Sequence, residues 1–580
     1  MDRSGSGAEA FLIVIAAWLG YTSLCFGIIP QIDIDTGRDF LVPQLLLQGR
    51  TLYHGVMYQF GPFAPWFHWL LFRVFSPSTT VILIAGAVAG CAIVCLTFLL
   101  AREILPAGAA ATAALVVLAH AVYAPHNMGY AMPYTFSATY GLLFSLLALC
   151  AAARSLERGC SPWDFLMGAA TGLALASKQD FAVISLCVML CSWAFRWPAL
   201  RRRLLAAMLA NLASCGAFAG LFALLLLRRV SVAELLPVAY PRQYLAALKY
   251  YYDVVQGWGP SGWSKTWEAL AGFALNFGFI LSAACLAALL AGLARGERPS
   301  RKFVLVLAVV ASPFLVVHRY LGYFPVLLHA SVLGFVIAGK IRENRRKVAF
   351  LAVSAVVFFF RVLPSPKLAG YPYPYLYYIP SLILYVYLCY SLAAPGLARF
   401  FPAERLQAAM IAVFAVCFVA YPLARWTWPW TQRAVQMATP RGAFRTEPAE
   451  AAKTRAVLDG IQRYSAPRDP ILLIPFGTMY YFLSDRQPAS KYIDYGYGML
   501  IDGEEEAREI GALSRQPPKL VIMEDVPQSL YFPGPVNSFG AAYNVHLSRW
   551  IRQNYREVRA VRLEGRLIHF LIPAGGASTG

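Results

Sequence analysis

Charge is what this chain has least of. Only 14% of its 580 residues are Asp, Glu, Lys or Arg, against 59% hydrophobic. Soluble domains carry about 25% charge, so the composition excludes an ordinary soluble protein. Acid is scarcer than base, 30 Asp+Glu against 50 Lys+Arg, yet the resulting +20 does not point to nucleic acid. The basic surplus falls in short loops between apolar runs: Arg154/Arg158, Arg196 with Arg201-Arg202-Arg203, Arg295/Arg298/Arg301/Lys302, Lys340/Arg342 with Arg345-Arg346-Lys347, and Arg399/Arg405. Short basic loops mark the cytoplasmic side of a membrane protein, so the charge reports orientation. The eight histidines show no H-E-x-x-H or Cys/His ligand spacing, which speaks against a catalytic zinc. All eleven cysteines, Cys25 to Cys417, precede residue 425, so the remaining tail has no disulfide and must rest on its own core. A phosphate-binding P-loop is also missing. Gly334-Phe-Val-Ile-Ala-Gly339-Lys340 comes near one, but Ile341 stands where Ser or Thr must hold magnesium.

What the chain does have is apolar runs of about 17–25 residues, each long enough to cross about 30 Å of hydrocarbon as a helix. With the basic loops placed inside, spans are predicted near 9–29, 79–101, 107–124, 136–153, 204–227, 267–294, 348–363, 374–394 and 407–424. Residues 164–196 and 302–340 begin and end at basic clusters while staying apolar throughout. Each is predicted as a helical hairpin, with tips at Lys178-Gln-Asp180 and His318-Arg-Tyr320. The fold class is therefore mainly α: a polytopic bundle of about 13 transmembrane helices. The first segment is followed by many spans and has no small-x-small site before Pro30, so it is not expected to be a cleaved signal. G-x-x-x-G pairs at Gly86/Gly90, Gly168/Gly172 and Gly216/Gly220 are expected to let helices pack closely within one bundle.

The chain divides at Arg425, giving a transmembrane domain over 1–424 and a soluble extracytoplasmic α/β domain over 425–580. Trp426-Thr-Trp-Pro-Trp430 marks the membrane interface at the join. Beyond it, helices are predicted over Glu447–Tyr464, Thr478–Ser484 and Gly540–Tyr555, with another opened by Asp502-Gly-Glu-Glu505. Strands are predicted over Pro470–Pro475 and Lys519–Met523, with a closing pair in Glu557–Ile572.

The chemistry is expected in the first outer loop, 30–77. Gln31-Ile-Asp-Ile-Asp-Thr-Gly-Arg-Asp39 gathers three carboxylates, Asp33, Asp35 and Asp39, around Arg38 where a membrane helix ends. Ionisable groups at membrane depth mark substrates and outnumber what a structural exit loop needs. Asp35 is the leading candidate base, Asp39 second and Asp33 third, with Gly37 expected to allow a tight turn that aims two carboxylates at one point. Phe40–Gln48 and Pro65–Phe75 read as interfacial helices. Between them lie Tyr53, His54 and Tyr58, hydrogen-bonding rings of the kind that line sugar sites. Lys178 and Arg319, with His318 beside it, are candidate phosphate ligands, although Asp180 alone could satisfy Lys178. The second outer loop, 228–266, is dense in Tyr and Trp, as an interfacial belt would be.

These motifs resemble the GT-C superfamily of membrane glycosyltransferases, nearest the branch of protein O-mannosyltransferases and lipid A aminoarabinose transferases. The resemblance rests on Asp35-Thr-Gly-Arg-Asp39 with Pro43, Gly49, Leu52-Tyr53 and Tyr58-Gln-Phe-Gly-Pro62, and on Gly172-Leu-Ala-Leu-Ala-Ser-Lys178, where Ser177 replaces a family Thr. His318-Arg-Tyr-Leu-Gly-Tyr-Phe-Pro325 and Tyr481-Phe-Leu-Ser-Asp-Arg486 with Tyr492 are similar more loosely. It implies a hexosyl- or pentosyltransferase in the cytoplasmic membrane. The donor would be a polyprenyl-phosphate sugar, and the acceptor a glycolipid, envelope glycan or protein. No nucleotide sugar reaches the outer face, so a lipid must carry the donor there. Cationic side chains can meet the leaving phosphate, so the scheme requires no cofactor and leaves a divalent metal open. The competing readings are a lipid-linked saccharide flippase, which would show internal repeats and midplane charges, and an oligosaccharide ligase or polymerase, which would carry its large soluble part between spans.

Overall fold

The computed structural model describes residues 5–32, 35–124, 129–231, 344–358, 376–387, 419–420, 422–496, 503–525, 539–541, 543–563 and 565–575. Eight helices open the chain: α1 (Gly5–Cys25), α2 (Arg38–Leu47), α3 (Phe63–Phe75), α4 (Thr79–Ala101), α5 (Ala107–Val117, continued by a π-turn over Leu118–Val122), α6 (Phe136–Ser155), α7 (Pro162–Leu175) and α8 (Gln179–Leu227). Their starts follow local chemistry. The Ser78 hydroxyl accepts from the Val81 amide at α4 and Thr135 from Ser137 at α6, and Ser161 and Asp164 form a capping box at α7. Among the described residues, five stretches are long and apolar enough to cross a membrane: Gly7–Cys25, Thr79–Ala101, Phe136–Ser155, Gln179–Trp197 and Leu204–Leu227.

The last two stretches belong to one continuous helix of 49 residues. Yet Trp193 Nε1 donates to Asn211 Oδ1 at 2.7 Å, although 18 residues of straight helix would hold them about 27 Å apart. The helix therefore doubles back between Trp197 and Leu204, and its arms are the separate spans predicted for 181–196 and 204–227. α7 and the first arm form the predicted hairpin, with Lys178 at its tip. Close packing uses the expected glycines. A Cβ on Gly168 would overlap the Asn211 carbonyl and one on Gly86 the Ala131 carbonyl. Gly216 and Gly220 differ: among the described residues nothing lies within reach of a Cβ there, so that pair makes no such contact.

The ends of the bundle are chemically distinct. At one end Arg154 and Lys347 both pair with Glu103, and Arg196 with Asp164. At the other, the ends of α1 and α7 and the starts of α4, α6 and α8 meet the 30–77 loop. α9 (Arg345–Phe358) and a helical stretch over 379–387 are the described parts of two further predicted spans. Spans 267–294 and 302–340, most of 407–424, and the hairpin tip at His318 lie outside the described residues, so the count of about 13 crossings stays an expectation.

The tail begins with a π-turn (Leu423–Thr427) and α10 (Trp428–Arg433), then an antiparallel hairpin of β1 (Val435–Thr439) and β2 (Gly442–Thr446) that the sequence pattern did not announce. A five-stranded mixed sheet comes next, in the order β4-β3-β5-β7-β6. Its strands are β3 (Pro470–Ile474), β4 (Gln487–Pro488), β5 (Leu520–Asp525), β6 (Tyr555–Leu563) and β7 (Arg566–Pro573), and its helices α11 (Pro448–Tyr464), α12 (Thr478–Ser484), α13 (Gly503–Arg515) and α14 (Val545–Asn554). Each predicted tail element is present within a few residues, except that α14 is the shorter core of the helix predicted over Gly540–Tyr555.

The tail is fastened to the rest of the chain at several places. Arg445 donates to the Leu24 and Phe26 carbonyls at the end of α1. The Thr79 amide at the start of α4 donates to the Arg441 carbonyl at 2.8 Å. Arg50 donates to the carbonyls of Pro488 and Ser490 at 2.8 and 3.0 Å. Phe40 of α2 packs on Phe482 of α12, so apolar contact runs unbroken from bundle to tail.

Candidate functional site

α2 is the floor of the site. Its sequence reads as an interfacial helix, yet Arg38 through Leu45 are all buried, because α12 covers the face that would have met the membrane surface. Gly37 precedes it in ordinary right-handed geometry, with φ −59°. The glycine is needed for another reason than the tight turn expected of it: a Cβ there would overlap the Met479 amide of α12.

Arg38 is the centre of the charged cluster. One of its terminal nitrogens pairs with Asp35, and the other reaches Gln59 Oε1 at 3.3 Å and Asp494 Oδ2 at 3.6 Å. The Asp35 side chain keeps 32% of its surface exposed, whereas Arg38 and Asp494 keep 7% and 8%. Asp39, one residue on, is fully enclosed. Its Oδ2 accepts the Phe136 amide at 2.9 Å at the start of α6, where the helix dipole favours an anion, and its Oδ1 lies 3.5 Å from the Tyr58 hydroxyl. Burial pushes the Asp39 carboxyl up to about 7, with the Phe136 amide and Arg38 pulling the other way. Burial likewise raises Asp494.

The Asp39 shift has a measurable consequence. In the pH window from 3.8 to about 7 the unfolded chain releases this proton while the folded chain keeps it. Stability should therefore fall as pH rises through that window. Between about pH 5 and about pH 8 the thermal midpoint should drop less in Asp39→Asn than in the wild type. Equal drops would show that Asp39 is not held protonated.

The loop after α2 is held by its own side chains and by the hairpin tip. Tyr53, at φ 69°, donates to the Phe60 carbonyl at 2.7 Å. The amides of Gly61 and Phe63 donate to the carbonyls of Ser177 and Ala176, both at 2.9 Å, and Gln179 Nε2 donates to the Gln59 carbonyl at 3.1 Å. A Cβ on Gly61 would overlap the Ala176 carbonyl, so this approach requires glycine. The docking brings Lys178 beside the loop. Lys178 Nζ and Arg38 Cζ each lie 5.6 Å from the Phe60 ring centroid, so two cations share one aromatic. Lys178 also pairs with Asp180, which accepts from the Tyr377 hydroxyl at 3.0 Å.

The structure thus brings together Asp35, Arg38, Asp39, Tyr58 and Lys178. Tyr53 braces the loop, and His54 stands exposed on it. Asp33, His318 and Arg319 lie outside the described residues. Three participants were not read from the sequence. Asp494 sits in a tyrosine-rich run of the tail, its side chain only 8% exposed, where an unexplained aspartate was the available signal. Gln179, beside the lysine of the tip, holds the loop. His68, on α3, bonds the Asp39 carbonyl at 3.1 Å through Nδ1 and the Tyr140 hydroxyl at 2.8 Å through Nε2. A carbonyl only accepts, so Nδ1 carries the hydrogen and Tyr140 donates to Nε2. Burial lowers this imidazole to about 4, leaving it neutral. Its signal was position: His68 shares the helical spacing of Ala64, Pro65 and Phe72 on the buried face of α3. Among the described residues, no group of three or more His, Cys, Asp or Glu side chains is arranged to hold a metal ion.

Residues 59–226 match the family model described as dolichyl-phosphate-mannose-protein mannosyltransferase. The segment begins in the docked loop and ends in the second arm of α8. Over 59–226 the chain is similar to that family. Among solved structures it is similar to the oligosaccharyltransferase of Archaeoglobus fulgidus, at 14% identity and a TM-score of 0.51, over 88% of this chain and 68% of that one. It is also matched to ArnT from Cupriavidus metallidurans bound to undecaprenyl phosphate, at 14% identity and a TM-score of 0.41, over 98% of each chain. No curated protein sequence matches the chain.

Proposed function

We propose that this chain transfers a sugar from a polyprenyl-phosphate donor to an acceptor hydroxyl or amine on the extracytoplasmic face of the cytoplasmic membrane. The observation that carries the reading is the placement of Asp35: a partly exposed carboxylate on Arg38, at the meeting of the loop, the hairpin tip and the tail. In this scheme Asp35 takes the proton of the acceptor as its oxygen or nitrogen attacks the anomeric carbon. The bond from that carbon to the phosphate oxygen breaks, and the phosphate leaves with the electron pair. Single displacement inverts the anomeric configuration. Arg38 and Lys178, both beside Phe60, meet the phosphate charge, with Arg319 and His318 as further candidates. The prenyl chain lies in a groove between helices, and Tyr53, His54 and Tyr58 remain candidates for the sugar. These cations can meet the leaving phosphate by themselves, so the scheme requires no cofactor and leaves a divalent metal open. Asp39, enclosed at the start of α6, holds the floor and is the weaker candidate base.

Two known proteins support the donor class: the ArnT structure contains undecaprenyl phosphate, and the archaeal oligosaccharyltransferase AglB has been solved with dolichol-phosphate and an inhibitory peptide. The test is reconstitution in liposomes with a labelled undecaprenyl-phosphate sugar and a cell-envelope extract as the acceptor pool. Release of free undecaprenyl phosphate together with labelled acceptor is the expected result. Movement of the intact lipid across the bilayer without cleavage would make the chain a transporter.

Orientation has its own test. A reporter active only in the cytoplasm should be silent when fused after Gly580 and strong after Lys347. The reverse pattern would expose the Asp35 loop to nucleotide sugars and remove the reason for a lipid-borne donor.

A further inference from the structure

We infer that Asp494 of the tail is a positioning residue for the reaction, dividing Arg38 between two carboxylates so that Asp35 remains basic enough to take a proton. The inference rests on the reading of Asp35 as the base, and extends it to a residue far along the chain that no sequence motif assigns.

The geometry is that of one cation between two anions. Arg38 turns one terminal nitrogen to Asp35 and the other towards Asp494 Oδ2 at 3.6 Å and Gln59 Oε1 at 3.3 Å. A guanidinium facing a single carboxylate favours the paired, two-pronged arrangement, which holds that carboxylate ionised and makes it a poor base. Asp494 and Gln59 occupy the second prong. The negative charge of Asp494 also acts on Asp35 directly, and like charges disfavour ionisation. Both effects have the same sign. Asp494 is well placed for this work because the segment around it is docked by the Met57 amide on the Lys491 carbonyl at 2.9 Å and by Arg50 on the Ser490 carbonyl at 3.0 Å. The other ionisable groups that face this cluster are Asp39 and Tyr58 beside Arg38, and Tyr481 and Tyr543 on the tail side of Asp494. Lys178 lies across the Phe60 ring.

The experiment is the pH profile of kcat/KM for Asp494→Asn, Asp494→Glu and Asp35→Asn in the full chain, with an undecaprenyl-phosphate sugar that the wild type turns over. The asparagine keeps the size of the side chain and leaves the Met57–Lys491 and Arg50–Ser490 contacts untouched, so the tail should stay docked. In Asp494→Asn the acid limb of the profile should move down by roughly one pH unit, the scale of a strengthened carboxylate–arginine pairing, and the plateau should fall. Asp494→Glu, which restores the charge, should return the limb toward the wild-type position. An unmoved limb in Asp494→Asn overturns the inference, whether activity is retained or is lowered equally at every pH. If Asp35→Asn keeps its turnover, the reading of Asp35 as the base fails first, and the inference falls with it. An inactive Asp35→Asn with an unmoved Asp494→Asn profile removes only the role of Asp494.

Discussion

Asp35→Asn, in protein that still inserts and folds, is expected to lose at least about a hundredfold in turnover, the usual scale for a missing general base. The loss should fall on kcat with little change in KM, because the amide keeps the size of the carboxylate and removes only its ability to take a proton. Asp39→Asn separates the two carboxylates. Its side chain accepts the Phe136 amide at the start of α6 and is fully enclosed, so its replacement should change stability and its pH dependence more than the chemical step. The measurement is single-turnover transfer from a labelled polyprenyl-phosphate sugar by each variant, alongside thermal unfolding. If Asp39→Asn abolishes transfer while Asp35→Asn retains it, the base has been assigned to the wrong carboxylate. If both retain near-normal turnover, the chemistry lies elsewhere.

The second large effect is expected at the opposite end of the bundle and concerns stability alone. Arg196 reads in the sequence as one of many loop cations, but it is buried against Asp164, with side-chain exposures of 1% and 0%. Its second terminal nitrogen also donates to the carbonyls of Gly159 and Arg158 at 2.8 and 3.2 Å. Asp164 in turn accepts from the Ser161 amide at 2.9 Å, and its own carbonyl accepts from Asn211. The ion pair thus joins the start of α7 to the first arm of α8, and Asn211 ties the second arm to the same turn. Asp164→Ala would leave a buried guanidinium without its anion, a change that costs about 3–5 kcal/mol in comparable pairs. The expected outcome is a large fall in the detergent-solubilised thermal midpoint, with Asp164→Ala/Arg196→Met recovering part of it because the stranded charge is gone. A single variant with a midpoint near wild type would show that water reaches the pair.

Much of this was legible in the sequence where one local property decides the outcome. Apolar runs of the right length placed the described spans, and the 164–196 stretch read as a hairpin because it begins and ends at basic clusters while staying apolar. Thr478–Ser484 and Glu447–Tyr464 read as helices from their patterning. What the sequence did not show depends on which surfaces meet. α2 has the pattern of an interfacial helix, and only the arrival of α12 buries it on all sides. Gly37 invited an explanation from backbone freedom, while the structure needs it for close approach. Asp494 could be placed beside Arg38 only by folding a tail whose sequence carries no trace of the distant loop. The β1–β2 hairpin was missed because its strands are five residues each and alternate weakly between buried and exposed positions.

The pairing of Arg38 with Asp494 also bears on when during its life the protein becomes competent. The loop is made early, but its partner aspartate is synthesised hundreds of residues later and must fold back onto it. Contacts this distant form late in assembly, since the intervening chain must first be ordered. A nascent or truncated chain would therefore hold Asp35, Arg38 and Lys178 without the surface that completes them. Maturation of the site is tied to delivery of the tail, and a half-built copy lacks the carboxylate that shares Arg38.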